Sequence, residues 1–174
     1  MPLPLFEDKN SFNYSSGYQI TNEEPEIFRR MLGKRRFAVA GSIASAGEIP
    51  FFVLAQRCDK IIAVDHSYYS LVAAFTKAIL LDEIGFQKIR QMLYDEQYND
   101  LMQICQNAVS KLPDTLRLHA LKPYQSITTD ALRGMRKEWM QTAVGMPYHV
   151  AKMLDKITFV HGDLDDLKEY APLD

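Results

Sequence analysis

The side chains able to do chemistry in this chain gather in a few short stretches: Ser45-Ala46-Gly47-Glu48, Asp65-His66, His161, and Asp163-Leu164. Asp65 closes the apolar run Lys60-Ile61-Ile62-Ala63-Val64. A carboxylate at the end of such a run can accept hydrogen bonds from both hydroxyls of a ribose. The residues at 44–47 have little bulk, so a backbone there can approach a ligand closely. Asp163 follows a second apolar run, Lys156-Ile157-Thr158-Phe159-Val160, where it can meet a ligand or cap a helix; both readings stand. His66 and His161 lie beside these acids, and each is either a general base for a hydroxyl acceptor or a packed histidine.

The elements that must position these groups follow from the pattern. Arg36-Phe37-Ala38-Val39-Ala40 reads as a buried strand entering the small-residue turn, and Pro50 stands where a helix starts, since its missing N–H is no loss in a first turn. That helix runs to about Arg57, and Lys60–Val64 is the next strand. Strand, small-residue turn, helix, strand and acid form the opening βαβ unit of a nucleotide-binding α/β fold. The bland alternative is a generic α/β core strand and turn with no ligand. No G-x-G-x-x-G is present, because five residues separate Gly41 from Gly47. Glu48 at the helix start would repel a phosphate but tolerate a ligand bearing a sulfonium and an amino group, which points to S-adenosylmethionine.

The rest of the chain sets limits. Its 174 residues fit one domain, and a net charge of −2 gives no general argument for a nucleic-acid partner. Arg133, Arg136 and Lys137 read as a solvated helix face. Cys58 and Cys105 have no metal-ligand spacing and read as packed thiols, and no metal is expected. The N-terminus lacks a charged start followed by an apolar core, and no apolar run reaches the roughly 20 residues that span a bilayer. A cytoplasmic location is the default, with at most peripheral membrane contact. Residues 1–22 read as an aromatic-rich lead (Phe6, Phe12, Tyr14, Tyr18), and Thr21 or Asn22 caps a helix that Gly33 ends. Helices are expected after Ser67, over about 87–112, after Thr128 or Thr129, and after Pro147. Leu116, Leu118 and Ala120 alternate with Arg117 and His119 in a run too short to assign. About 90 residues thus separate the second strand from the third, Lys156–Val160, and no fourth strand is evident. An open sheet usually has about five or six strands. The expectation is a homo-oligomer, or association with a missing C-terminal part.

Taken together these features resemble the S-adenosylmethionine:diacylglycerol 3-amino-3-carboxypropyl transferases, the head-group enzymes of betaine lipids, and their relatives. The resemblance rests on Phe12-Asn13-Tyr14-Ser15, Glu23-Glu24-Pro25, Ser45-Ala46-Gly47-Glu48, Asp65, Lys77 and the long helical insertion. One departure stands out: Ser67-Tyr68-Tyr69-Ser70 replaces the family's Asn-Pro-x-Gln after the acid. The resemblance implies a Rossmann-like, class I S-adenosylmethionine-binding fold, incomplete after its third strand, spanning residues 23–174 with an insertion at about 67–156. It implies that Ser45, Ala46, Gly47 and Glu48 hold the methionine portion, that Asp65 and His66 lie at the ribose, and that Asp163 and the Leu164 N–H face the adenine. The implied activity is 3-amino-3-carboxypropyl transfer to a hydroxyl of a small-molecule or lipid acceptor. Methyl transfer and a non-catalytic binding or interaction module are the alternatives. Glu48 and the absent glycine triplet argue against a nucleotide-dependent oxidoreductase. On this reading Asp65→Ala abolishes ligand binding in an intact fold, and Gly47→Val fills the ligand's space without unfolding the chain.

Overall fold

The computed structural model describes residues 3–9, 25–120, 128–142 and 150–170. Four parallel strands, β1 (Leu5–Asp8), β2 (Phe37–Ile43), β3 (Cys58–Asp65) and β4 (Ile157–His161), form one sheet in the spatial order β1-β4-β3-β2. Nearly unbroken apolar runs are the mark of parallel strands covered on both faces. Accordingly Ile61–Asp65 and the whole of β4 are buried. β2, the outermost strand on its side among the described residues, is mostly half-buried or exposed.

The sequence-based limit of three strands is corrected by β1. Leu5 pairs with Thr158 and Asp8 with His161, so part of the supposed N-terminal lead belongs to the sheet. Four residues between Pro4 and a polar stretch carry no legible period, and only β4 decides that they are a strand. Phe12, Tyr14, Tyr18, Thr21, Asn22 and Pro147 lie outside the described residues.

The helical elements mostly follow their start and stop signals. α1 (Pro25–Leu32) ends at Gly33, whose φ of 58° lets its N–H return to the Arg29 carbonyl at 3.0 Å. The segment behind Pro50 is a π-helical turn, Pro50–Leu54, closed by the Ala55 N–H on the Pro50 carbonyl at 2.9 Å. α2 (Tyr68–Glu83) is capped by Ser67, whose Oγ accepts the Tyr69 N–H at 3.2 Å. Every residue from Leu71 to Leu81 is buried, so α2 is a core helix with no solvent face over that length. The insertion continues as α3 (Gly85–Tyr94), α4 (Tyr98–Ala108), α5 (Asp114–Ala120) and α6 (Thr129–Thr142), the last capped by Thr128. In α5 the alternation at 116, 118 and 120 is misleading, because Leu116 and Ala120 share one buried face at helical spacing while Leu118 points outward.

Ile61, Ala63, Ile157 and Phe159 share one core with α2 and the insertion, and the Phe75 and Phe159 rings lie 5.3 Å apart. Ile62, Val64 and Val160 face the other way, beneath Leu167 and Tyr170 of a 3₁₀ helix, Leu164–Tyr170. Both cysteines are buried free thiols, and burial pushes the Cys105 pKa up to about 12. Among the described residues no helix is long and apolar enough to cross a membrane.

Candidate functional site

A cleft of about 300 Å³ opens at the carboxyl ends of β2, β3 and β4, lined by Ile43, Val64, Asp65, His66, Gly162, Asp163 and Leu164. Ligands of open α/β sheets bind outside this edge of the strands. The volume lies at the lower end of the range for small-molecule pockets, about 300–1,000 Å³. It suits a nucleoside-sized group. Four of the sequence-predicted residues, Asp65, His66, Asp163 and Leu164, meet here although nearly 100 positions separate the two pairs.

Asp65 is buried, and its Oδ1 accepts the Ser67 N–H at 2.9 Å. The Ser45 backbone N–H lies near this carboxylate and favours its ionised form. Asp65 therefore has a structural partner within the chain, the Ser67 N–H. A carboxylate has about four acceptor sites, so the Ser67 N–H leaves room for a ligand's hydroxyls. Burial raises the Asp65 pKa above its ordinary value; the bond from Ser67, the charge of His66, the Ser45 N–H and the charge of His161 oppose that shift.

Gly162 turns the chain sharply out of β4. A Cβ there would run into the Asp166 carboxylate, which accepts the Asp163 N–H at 2.6 Å. Asp163 Oδ1 in turn accepts the Leu164 N–H at 2.6 Å. Asp163 thus both caps a turn and lines the cleft, and its carboxylate takes the Leu164 N–H. What Leu164 offers is its side chain, 53% exposed, with Ile43 at 55% on the other side.

The Ser45–Glu48 turn sits differently from expectation. All four residues are buried, and none of their side chains lines the cleft. Glu48 is ion-paired with Lys77 in the core, both side chains fully buried, and the Trp139 indole N–H points at the same carboxylate at 3.5 Å. A buried carboxylate must be paired, and Lys77, in the middle of α2, supplies the charge. Glu48 therefore has no unmatched charge to set against a phosphate or a sulfonium. The acidity of the cleft comes instead from Asp65 and Asp163.

The two histidines part company. His66 is exposed at the rim. His161 is fully buried, with Nδ1 2.9 Å from Asp8 Oδ1 and Nε2 donating to the His66 carbonyl at 3.3 Å. A ring nitrogen that donates to a carbonyl cannot also take a proton from an acceptor, so His161 is not placed to act as the base expected of it. Tyr68 stacks on His161 at 3.6 Å and on His119 at 3.9 Å, and its hydroxyl donates to the Asp8 carboxylate. Burial and that carboxylate push the Tyr68 pKa up to about 12. Sequence reasoning missed Asp8, Tyr68 and His119. No local signal marked Asp8, because β1 is a strand only through its pairing with β4.

No protein-family model matches this chain, and no curated protein or solved structure shows significant similarity to it. Fold and site alone define its class: a Rossmann-like parallel α/β protein with an acidic cleft at the carboxyl edge of its sheet.

Proposed function

We propose that the cleft binds an adenosyl ligand, S-adenosylmethionine, and that the chain is an S-adenosylmethionine-dependent transferase, with 3-amino-3-carboxypropyl transfer favoured over methyl transfer. The observation that carries this reading is the position of Asp65: a carboxylate at the end of β3, on a nucleoside-sized cleft, with acceptor sites beyond the one the Ser67 N–H uses. Exposed Ile43 and Leu164 offer apolar flanks to a base. Asp163 brings a second carboxylate to the cleft, which is unfavourable for a phosphate placed beside it. The class I S-adenosylmethionine-binding fold belongs to this proposal.

Bound there, S-adenosylmethionine supplies a sulfonium that already activates the carbons attached to it. The chain's part is to orient the ligand through Asp65 and to exclude water on the buried side of the cleft. His66, exposed at the rim, is the residue in reach of an acceptor hydroxyl's proton; the acceptor is a small molecule or a lipid. Transfer of the 3-amino-3-carboxypropyl group leaves methylthioadenosine, and methyl transfer leaves S-adenosylhomocysteine. Association with a second copy of the chain belongs to the same proposal.

Thermal unfolding with S-adenosylmethionine, S-adenosylhomocysteine, methylthioadenosine or NAD separates the readings. An adenosyl ligand at a hundred times its Kd is expected to stabilise the chain by about 2.7 kcal/mol. NAD is expected to give no shift, and a shift with NAD alone would contradict the proposal. Mass spectrometry of the products then tells chain transfer from methyl transfer.

A further inference from the structure

The turn after β3 is held from outside as well as from within. The Gly162 N–H donates to the Asp65 carbonyl at 3.0 Å, and His161 Nε2 donates to the His66 carbonyl at 3.3 Å. A carbonyl only accepts, so Nε2 carries the proton of that second bond. The His66 carbonyl and the Ser67 N–H belong to one planar peptide unit. Its oxygen is bound by His161, and its N–H donates to Asp65 Oδ1 at 2.9 Å. A ring held in place therefore fixes the plane of the donor that orients the Asp65 carboxylate.

That ring has little freedom. His161 is fully buried, its Nδ1 lies 2.9 Å from Asp8 Oδ1, and Tyr68 stacks on it at 3.6 Å. The Tyr68 hydroxyl lies 3.0 and 2.9 Å from the two oxygens of that same carboxylate. Asp8 and His161 are register partners across β1 and β4, as His161 and Asp65 are across β4 and β3. We propose that His161 is a positioning residue for Asp65, acting through the His66–Ser67 peptide, with Asp8 and Tyr68 holding its ring. The inference rests on the reading of Asp65 as the residue that binds the ribose. His161 itself does not line the cleft. Hydrogen bonds in series also polarise one another, so the bond at the His66 oxygen makes the Ser67 N–H a stronger donor.

The test separates the two ring nitrogens. An asparagine amide nitrogen stands near the place of Nδ1, and a glutamine amide nitrogen near that of Nε2. His161→Asn therefore keeps a donor for Asp8 and loses the one for the His66 carbonyl, while His161→Gln does the reverse. The readout is the calorimetric affinity for adenosine relative to 2′,3′-dideoxyadenosine, which lacks the hydroxyls assigned to Asp65. Folded His161→Asn is expected to lose that preference by about three- to tenfold, and His161→Gln to keep it. A merely structural role would weaken the binding of both nucleosides alike. A folded His161→Asn variant with the wild-type preference, or the same loss in both variants, overturns the proposal. A second measurement uses the wild-type chain and does not depend on how the variants fold. Adenosine is expected to slow the solvent exchange of the His161 Nε2 proton in proton–nitrogen spectra, because coupling between sites is reciprocal. Dideoxyadenosine is expected to leave that exchange as it is. Adenosine binding with no change in the exchange overturns the positioning role alone. A wild-type chain with no preference for adenosine removes the ribose reading and this proposal together.

Discussion

Asp65→Asn is expected to lose adenosine affinity by about 10- to 150-fold while keeping its fold. The change keeps the side chain's volume and one oxygen for the Ser67 N–H, and replaces the charge and the second acceptor oxygen by an amide NH2. A hydrogen bond to a charged acceptor contributes about 1.5–3 kcal/mol, which sets the size of the loss. The pH dependence has a defined sign. The folded-state pKa of Asp65 is raised, so the folded chain holds this proton more tightly than the unfolded chain does. Its charge therefore lowers stability above the folded pKa, and that cost is relieved as pH falls through it toward the ordinary value of 3.8. Ligand affinity runs the other way, since the ribose hydroxyls need the ionised carboxylate. Wild-type affinity is expected to fall on acidification across the window where the Asp65 contribution to stability rises, and Asp65→Asn is expected to show neither trend. Calorimetry and urea unfolding at matched pH values check both.

Gly47→Val is expected to cost about 2–5 kcal/mol of stability, through overpacking and a left-handed backbone angle together. A Cβ at this position would lie 2.5 Å from the Phe51 ring and 3.2 Å from the Ala74 Cβ, and φ is 97°. Phe51 is fully buried and packs edge-on against Phe52 and Phe159, so the ring has nowhere to go. This replaces the expectation that valine would block a ligand in an otherwise sound fold. Gly47 serves the joint between the turn, the π-helical segment and α2. A denaturation midpoint equal to that of the wild type would contradict this placement.

The parts of the structure legible in the sequence are those written locally. The run from Phe37 through the turn to Asp65 announces strand, turn and strand by composition and length, and Ile157–His161 does the same. Ser67 and Thr128 mark their helix starts by side-chain chemistry that acts within three residues. What stayed hidden depends on partners far away in sequence. Glu48 reads as an acid open to a ligand until Lys77, 29 positions on, takes its charge, and His161 reads as either a base or a packed histidine until Asp8, 153 positions back, holds its ring. β1 is invisible for the same reason, being a strand only because β4 lies beside it. The Asp65 to Leu164 cleft needed both kinds of information: each pair was recognisable locally, and their meeting follows from the pairing of Asp65 with His161 across β3 and β4.

The central claim is that Asp65 holds a ribose diol at the carboxyl edge of the sheet. Calorimetric titration of the wild-type chain with adenosine and with 2′,3′-dideoxyadenosine tests it most directly, because the two ligands differ only in the hydroxyls assigned to Asp65. Adenosine is expected to bind at least about tenfold more tightly than the dideoxy compound, with that difference abolished in Asp65→Asn. Equal affinity for the two nucleosides, or no binding of either, would contradict the account.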